Sequence, residues 1–125
     1  MKVSDKMISG IGLDLLDIDR IKKNIENDRF MERVFSEYER EYIRARGRMA
    51  PSSAAGIFCA KEAFIKAVGH AVSLCDIRIS HNESGKPLLS LAGKSADEYK
   101  NLLIHLSITH TETTASAFVV CERLE

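Results

Sequence analysis

The clearest hydrophobic pattern in the chain lies between residues 57 and 69, where it predicts a central helix. Apolar side chains recur there at the three- and four-residue intervals of a helix, and Gly69 is placed to end it in a left-handed conformation. Glu62 and Lys66 lie one turn apart, in the order that favours an ion pair. Lys61 falls inside the apolar stripe, so either its stem packs while its ammonium group reaches water, or it carries charge into a site. The stripe consists of Ile57, Phe64, Ile65 and Val68.

A second pattern, alternation along the chain, predicts a strand from residue 7 to residue 16. Asp14 shares one face of this strand with Gly10 and Gly12. Glycine weakens a strand, and it is tolerated best where another group must come close to the backbone. Asp14 therefore either belongs to a metal or ligand site, or simply ends the strand and faces water.

Three short helical segments are predicted between this strand and the central helix. Asp17 can cap the first, which carries isoleucines on one face. A short second turn follows at residues 29–35. Ser36 and Glu39 form a capping box that opens the third segment, and Gly47 is placed to end it.

The remainder of the chain is predicted to consist mainly of strands, at residues 76–80, 88–91, 102–109 and 115–121. The first two flank the turn Ser84-Gly85-Lys86-Pro87 as a hairpin. Ser95 and Glu98 form a further capping box for a short helix. Helices and strands gathered in separate parts of a chain are typical of α+β proteins. We therefore expect an α+β fold in which helices pack on an antiparallel sheet.

Composition sets the broad class of the protein. A chain of 125 residues with 45% hydrophobic residues predicts a single domain, residues 1–125, with one core. The formal net charge is zero, so the molecule as a whole is not a polycation for nucleic acid. No apolar run approaches the roughly 18 residues needed to cross a bilayer, and the first residues lack a secretory signal pattern. We expect a cytoplasmic protein that binds neither nucleic acid nor membrane.

The cysteines and histidines give no pattern of a structural zinc site. Cys59, Cys75 and Cys121 form no CxxC pair and are odd in number, which indicates reduced thiols and small core residues. His105 and His110 are five positions apart, so in a continuous strand they point to opposite faces. A two-histidine metal site is therefore not expected.

Charge is unevenly distributed despite the neutral total. Residues 20–48 contain nine Lys and Arg against six Asp and Glu, with Phe30 and Met31 among them. A basic surface with an apolar anchor is suited to docking an acidic protein. A solvated helical face would have the same composition, so the pattern leaves both readings open.

Two carboxylates and several cations indicate where chemistry could take place. Asp14 and Glu62, with Lys66 one turn further along the helix, are suited to a Mg²⁺ site that takes its remaining ligands from water and substrate phosphates. The chain contains no P-loop, GxGxxG, HExxH or GxSxG motif. Candidate phosphate contacts are Lys66, Lys86, His105, Ser107 and Thr109.

Four stretches, in order along the chain, resemble motifs of the holo-acyl-carrier-protein synthases, the small single-domain branch of the 4′-phosphopantetheinyl transferases. Each motif alone is weak, but the ordered set in a chain of this length is specific. The stretches are Gly10-Ile11-Gly12-Leu13-Asp14 with Arg20-Ile21, then Phe58-Cys59-Ala60-Lys61-Glu62-Ala63-Phe64-Ile65-Lys66-Ala67, then Ser84-Gly85-Lys86-Pro87, and finally His105-Leu106-Ser107-Ile108-Thr109-His110.

The resemblance implies a 4′-phosphopantetheinyl transferase fold and a homotrimer that binds coenzyme A in clefts between subunits. The implied reaction transfers the 4′-phosphopantetheine group of coenzyme A to a serine of an acidic apo-acyl carrier protein. It releases 3′,5′-ADP, depends on Mg²⁺ and belongs to fatty acid biosynthesis.

The same resemblance assigns roles to individual residues. Asp14 and Glu62 match the Mg²⁺ positions, Lys66 matches the lysine near the pyrophosphate, and Glu62 is the candidate to accept the serine proton. Positions that line the coenzyme A cleft are matched by Lys66, Gly85, Lys86, Pro87 and His105. Positions on the surface that receives the carrier protein are matched by Arg20, Arg29, Phe30 and Arg33.

The chain departs from the family pattern at two places. Ile57 stands where many members have an arginine, so one phosphate contact is either missing or supplied elsewhere. The segment 70–75 is short and lacks the usual glycines. These departures motivate a second hypothesis, a non-catalytic module that binds coenzyme A or a nucleotide. A third is a metal-dependent phosphohydrolase that releases 3′,5′-ADP without an acceptor protein.

Overall fold

The computed structural model describes residues 6–124, with Lys6 described for its backbone alone. The strands are β1 (Lys6–Asp17), β2 (Ile77–His81), β3 (Pro87–Leu91), β4 (Leu102–His110) and β5 (Thr114–Leu124). The helices are α1 (Ile18–Asn24), α2 (Asp28–Val34), α3 (Glu37–Ala45), α4 (Ala50–Val68) and α5 (Gly93–Glu98). Short 3₁₀ turns lie at Gly47–Met49 and Leu74–Asp76.

The strands form two antiparallel sheets, of three strands in the order β1-β5-β4 and of two strands, β2-β3. The central helix predicted from the sequence is α4, which packs on one face of the three-stranded sheet. It ends at Gly69 in the left-handed conformation, with φ 75°, as the sequence predicted. The predicted α+β fold with helices on an antiparallel sheet is therefore confirmed.

The glycines of β1 allow α4 to lie directly against the strand. A Cβ atom at Gly12 would stand 1.8 Å from the carbonyl oxygen of Ala63, and one at Gly10 would stand 2.0 Å from that of Ala67. The group that comes close to these glycines is thus the backbone of α4. Asp14 follows them on the same face of β1, which places its carboxylate beside the helix.

Lys61 is fully buried, and both expectations for it were wrong. Its ammonium group neither reaches water nor enters a cleft, because it donates to Glu39 Oε1 at 2.6 Å, to the carbonyl of Val34 at 2.6 Å and to that of Leu74 at 3.0 Å. Burial lowers the pKa of Lys61, and the Glu39 carboxylate acts in the opposite direction. Lys61 is therefore a structural residue that ties α4 to three other segments of the fold.

Glu39 connects the cap of α3 to this buried pair. The predicted capping box is present: Ser36 Oγ accepts from the amide of Glu39 at 3.2 Å, and Glu39 Oε1 accepts from the amide of Ser36 at 2.8 Å. Glu39 Oε2 also accepts from the amide of Ile79 at 2.6 Å. One carboxylate thus joins α3, α4 and β2, and it is as fully buried as Lys61.

Two predicted caps are not formed. Asp17 stands at the N-cap of α1 without a side-chain hydrogen bond. The N-cap of α5 is Ala92, and Ser95 Oγ donates instead to Asp76 Oδ2 at 3.2 Å. The Ser95–Glu98 capping box was therefore wrong, because a carboxylate from a neighbouring turn takes the serine hydroxyl.

The cysteines behave largely as small core residues. Cys59 and Cys121 are buried in the core, as predicted, and Cys75 is half-buried with its thiol 2.8 Å from the carbonyl of Arg33. All three are within the described residues, and no two of them form a disulfide.

The face of the large sheet that is turned away from α4 carries exposed apolar side chains. In β1 they are Ile11, Leu13 and Leu15, each at least 60% exposed, and Phe118 of β5 lies directly opposite Leu13. Leu103 of β4 is also exposed. A contiguous apolar face of this kind marks an interaction surface. Among residues 6–124, no helix is both long and apolar enough to span a bilayer.

Candidate active site

Asp14 and Lys66 meet where β1 passes under α4. Lys66 Nζ lies 3.0 Å from Asp14 Oδ1 and donates to the carbonyl oxygen of Leu13, also at 3.0 Å. More than half of the Lys66 side chain remains exposed, whereas Asp14 is largely covered. The lysine can therefore swing towards a ligand while the carboxylate stays in place.

Glu62, one turn before Lys66 on α4, faces the same point. Burial raises the pKa of the Glu62 carboxyl, the negative charge of Asp14 raises it further, and the ammonium group of Lys66 lowers it. Glu62 thus lies within electrostatic reach of both Asp14 and Lys66. Two acidic groups with one lysine form a site that attracts a further cation.

The residues present are suited to Mg²⁺. Carboxylate oxygens are the ligands that this ion prefers, and it commonly takes only one or two of them, together with water and substrate phosphate. Within residues 6–124 there is no group of three or more His, Cys, Asp or Glu side chains that could enclose a metal. Asp14 and Glu62 would therefore offer Mg²⁺ an open site, in which a phosphate could complete the coordination.

A buried thiol lies beneath the carboxylates. Burial raises the pKa of Cys59 to about 12, with smaller contributions from the charge of Asp14 and from a hydrogen bond to it. Cys59 Sγ also lies 3.6 Å from the carbonyl oxygen of Ala115. Cys59 therefore remains a protonated thiol at neutral pH, where it can act as a weak donor and not as a nucleophile.

A separate cavity of about 230 Å³ lies between the end of α3, the start of α4 and the turn after β2. Gly85 and Pro87, two of the residues predicted to line the coenzyme A cleft, belong to its wall, as does Ile57. Lys86 stands between them in the turn, with its amide bonded to Asn82 Oδ1 at 2.9 Å. The other lining residues are Tyr42, Arg46, Ser52, Ser53, Gly56, His81, Ile108 and His110.

The structure does not bring His105 to this cavity. His105 lies on the opposite face of β4, where its Nε2 is 2.6 Å from Glu122 Oε1, and its predicted contact with coenzyme A stays a prediction. His110 lines the cavity instead and was missed as a site residue. The alternation of β4 carried the signal, since it places His110 on the same face as Ile108, which also lines the cavity.

Three of the four residues predicted to receive a carrier protein lie together. Arg29, Phe30 and Arg33 line one shallow depression beside α2, and the guanidinium of Arg33 lies 5.8 Å from the centre of the Phe30 ring. Arg20 is exposed on α1. Met31 is buried in the core, so Phe30 is the apolar residue that this surface presents.

Comparison with known proteins decides the family. The family model described as the 4′-phosphopantetheinyl transferase superfamily matches residues 10–119. The chain belongs to this superfamily. The family predicted from the four motifs is thereby confirmed, and with it the prediction of a phosphopantetheinyl transferase.

Individual relatives support this assignment over nearly the whole chain. The holo-[acyl-carrier-protein] synthase of Clostridium tetani is 42% identical over 123 residues, which cover 93% of this chain and 97% of the relative. The enzyme of the same name from Oceanobacillus iheyensis is 42% identical over 124 residues, covering 95% and 100%. The crystal structure of the Bacillus anthracis holo-(acyl-carrier-protein) synthase in complex with CoA (3′,5′-ADP) matches with a TM-score of 0.81 and 38% identity, covering 94% and 98%.

Proposed function

We propose that the protein transfers the 4′-phosphopantetheine group of coenzyme A to a serine of an apo-acyl carrier protein, releasing 3′,5′-ADP, and that this modification serves fatty acid biosynthesis. The observation that carries the proposal is the convergence of Asp14, Glu62 and Lys66 between β1 and α4. The relatives named holo-[acyl-carrier-protein] synthase and the bound CoA (3′,5′-ADP) of the similar crystal structure support the two substrates.

The reaction is a phosphoryl transfer between two oxygens. The serine oxygen forms a bond to the phosphorus that carries the pantetheine arm. The bond from this phosphorus to the bridging oxygen of the diphosphate breaks, and 3′,5′-ADP leaves with that oxygen. The serine proton goes to Glu62, directly or through a water molecule. Such transfers are catalysed by positioning and by stabilising charge, more than by covalent chemistry.

Glu62 is well suited to accept the proton. A carboxylate whose pKa is raised by burial and by a second carboxylate is a stronger base than one in water. Lys66, one turn further along α4, is exposed enough to contact a non-bridging phosphate oxygen and to stabilise its charge. Asp14 keeps the Lys66 ammonium group in place by direct contact, and its negative charge raises the pKa of Glu62.

Asp14 and Glu62 are the residues that would hold Mg²⁺. The ion supplies, when bound, the positive charge that neutralises the diphosphate and orients the leaving group. The donor set supports this, because two carboxylates with one lysine leave a net negative charge at the point where a polyanion must bind.

The proposed protein partner is an acidic carrier protein that docks on Arg20, Arg29, Phe30 and Arg33. Its support is the depression in which Arg29 and Arg33 flank the half-buried Phe30 ring. Complementary charge speeds association, and an aromatic anchor between cations supplies contact area.

We also place the protein in the cytoplasm, as a homotrimer. The three unpaired cysteines fit a reducing compartment. The exposed apolar sheet face, with Ile11, Leu13, Leu15 and Phe118, fits a surface that is covered by other copies of the chain. The trimer would place the coenzyme A cleft between subunits.

The test is incubation of an apo-carrier protein with coenzyme A, Mg²⁺ and this protein, followed by mass spectrometry of the carrier. We expect the carrier to gain the mass of phosphopantetheine. Glu62→Gln should lower the rate at least about 100-fold, the contribution typical of a general base, without unfolding the protein. The matched control is Glu98→Gln, an exposed carboxylate on α5.

The rival hypotheses predict different products. No mass gain with several apo-carrier proteins, while the protein is folded, would overturn the proposal. Release of 3′,5′-ADP without any carrier would identify a phosphohydrolase. Binding of coenzyme A without Mg²⁺ and without transfer would identify a binding module.

A further inference from the structure

The buried ammonium group of Lys61 connects the helix of the active site to the helix on which the carrier protein is proposed to dock. Lys61 directly precedes Glu62 on α4, and consecutive side chains of a helix point about 100° apart. Glu62 therefore faces the active site while Lys61 points into the core. The Nζ of Lys61 donates at 2.6 Å to the carbonyl oxygen of Val34, the last residue of α2. Among residues 6–124, this is the one hydrogen bond that joins α2 to α4.

α2 depends on such contacts for its position. A helix of seven residues is marginal in isolation, so the rest of the fold determines where it lies. The carbonyl oxygen of Val34 has no partner within the helix, and a cation at this end also interacts favourably with the helix dipole. Cys75 holds the same end, because its thiol donates to the carbonyl oxygen of Arg33 at 2.8 Å. Lys61 and Cys75 thus fix the carboxyl end of α2 against the core.

The residues proposed to receive the carrier belong to the same short helix. They are Arg29, Phe30 and Arg33, and all three stand within two turns of the end that Lys61 holds. The Phe30 ring also packs edge-on against the buried Phe35 ring, with 6.1 Å between the ring centres. Lys61 Nζ lies 5.5 Å from the centre of the Phe35 ring. Lys61 therefore contacts the docking helix through its backbone and reaches it again through this aromatic pair.

The hydrogen bonds of Lys61 fix its direction. An ammonium group has three donors, and Glu39 Oε1 and the carbonyl oxygens of Val34 and Leu74 accept all three. A buried ion pair adds little net stability compared with apolar side chains of similar volume. Apolar side chains, however, cannot form a directional bond to the end of α2. The pair is therefore suited to maintaining one position of α2 relative to α4.

We infer that Lys61 is a positioning residue for the transfer reaction. It holds the carrier-docking helix α2 at the distance from Glu62 at which the carrier serine reaches the phosphorus of coenzyme A. This role rests on the function and the docking surface proposed above. Docking fixes the carrier on α2 while α4 carries Glu62, so the contact between the two helices sets the alignment. A displacement of about 1 Å in such an alignment can lower the rate about 100-fold.

The experiment measures carrier modification by the double variant Glu39→Gln/Lys61→Met, which replaces the buried pair without leaving a charge behind. We expect kcat to fall about 10- to 100-fold, because the serine is no longer held in line with the phosphorus. The KM for the carrier and the KM for coenzyme A should each change less than about threefold, since the docking surface and the diphosphate site keep all their residues. A residue that only stabilised the fold would change none of these values in protein that circular dichroism shows to be folded.

Two substitutions of Cys75 test the same end of α2 without altering the buried pair. Cys75→Ala removes the donor to the carbonyl of Arg33, so it should lower kcat by a smaller factor and leave both KM values unchanged. Cys75→Ser is the matched control. It keeps a hydrogen-bond donor at this position and should restore kcat.

The outcomes separate this role from the proposed function. Unchanged kcat in the folded double variant would overturn the role of Lys61, and so would a raised KM for coenzyme A, which would mean that the pair acts on the diphosphate site. If the double variant does not fold, the Cys75 variants decide, and equal kcat values for the two would overturn the role. If the unmodified protein modifies no carrier, the proposed function fails and the role of Lys61 fails with it, whereas normal transfer by every variant removes only the role of Lys61.

Discussion

The pairing of Lys61 with Glu39 shows what a sequence pattern leaves undetermined at the scale of one residue. The pattern marks Lys61 as unusual, because a lysine stands in an apolar stripe. Its partner, Glu39, lies 22 positions earlier in the chain. In the sequence, the capping box with Ser36 already accounts for a glutamate at that position. Glu39 Oε1 accepts from both the Ser36 amide and the Lys61 ammonium group, so the cap does not exclude the ion pair, and only the packing of α3 against α4 shows this.

The buried pair predicts a large loss of stability when one partner is removed. Lys61→Met should lower the free energy of unfolding by about 3–5 kcal/mol, because it leaves the Glu39 carboxylate buried without its cation. The measurement is urea unfolding followed by circular dichroism. In the double variant Glu39→Gln/Lys61→Met the loss should be smaller, since no uncompensated charge remains. A Lys61→Met protein as stable as the original would contradict the structural role of the pair.

In the candidate site, too, some residues could be predicted from the sequence and others could not. Asp14 and Glu62 could be selected from residue type, strand face and family motifs, and the structure brings both to Lys66. His110 could also have been selected, because strand alternation places it on the face of β4 that carries Ile108, opposite to the face of His105. What the sequence could not show is the cavity itself, since its wall combines residues from α3, α4 and the turn after β2.

At the scale of whole elements, periodicity and turn residues predicted the order of helices and strands well. The errors fall at helix starts such as Ser95, where a distant carboxylate competes for the capping hydroxyl. The glycines of β1 show a different limit. Their position predicts close approach of another group, but it does not identify that group. The structure identifies it as the backbone of α4.

The contact between β1 and α4 predicts the effect of adding one methyl group. Gly12→Ala would place a Cβ atom 1.8 Å from the Ala63 carbonyl oxygen, so α4 must move away from β1. We expect a loss of about 1–3 kcal/mol or more in the free energy of unfolding, as for other overpacked cores. We also expect weaker transfer activity, because Glu62 and Lys66 move with the helix while Asp14 does not.

The matched control for this substitution is Gly47→Ala. Gly47, unlike Gly12, has a positive φ, of 60°, and a Cβ atom there would meet nothing within 4 Å. It should cost about 1 kcal/mol through backbone conformation and leave transfer unchanged. Both variants are measured by urea unfolding and by carrier modification. Equal effects would show that the close contact between α4 and β1 does not position the active-site residues.

At the scale of the whole molecule, the exposed apolar sheet face is the feature that a single protomer does not explain. The strand pattern alone predicts one buried and one solvated face for β1. Instead the face towards α4 carries glycines and Asp14, and the face towards solvent carries Ile11, Leu13 and Leu15. Such an inversion is expected where the outer face becomes the core of an assembly.

Because this face is apolar, we predict that one charged side chain introduced into it will separate the subunits of the proposed assembly. Phe118 stands opposite Leu13 near the middle of the exposed surface, and 43% of its side chain is exposed in the protomer. Phe118→Lys should therefore leave the protomer folded, as measured by circular dichroism, but convert the proposed trimer to monomers in sedimentation velocity. Tyr38→Lys, a similarly exposed aromatic on α3, should remain trimeric. Because the proposed coenzyme A cleft lies between subunits, the monomer should also lose transfer activity, whereas a fully active monomer would place the whole site within one chain.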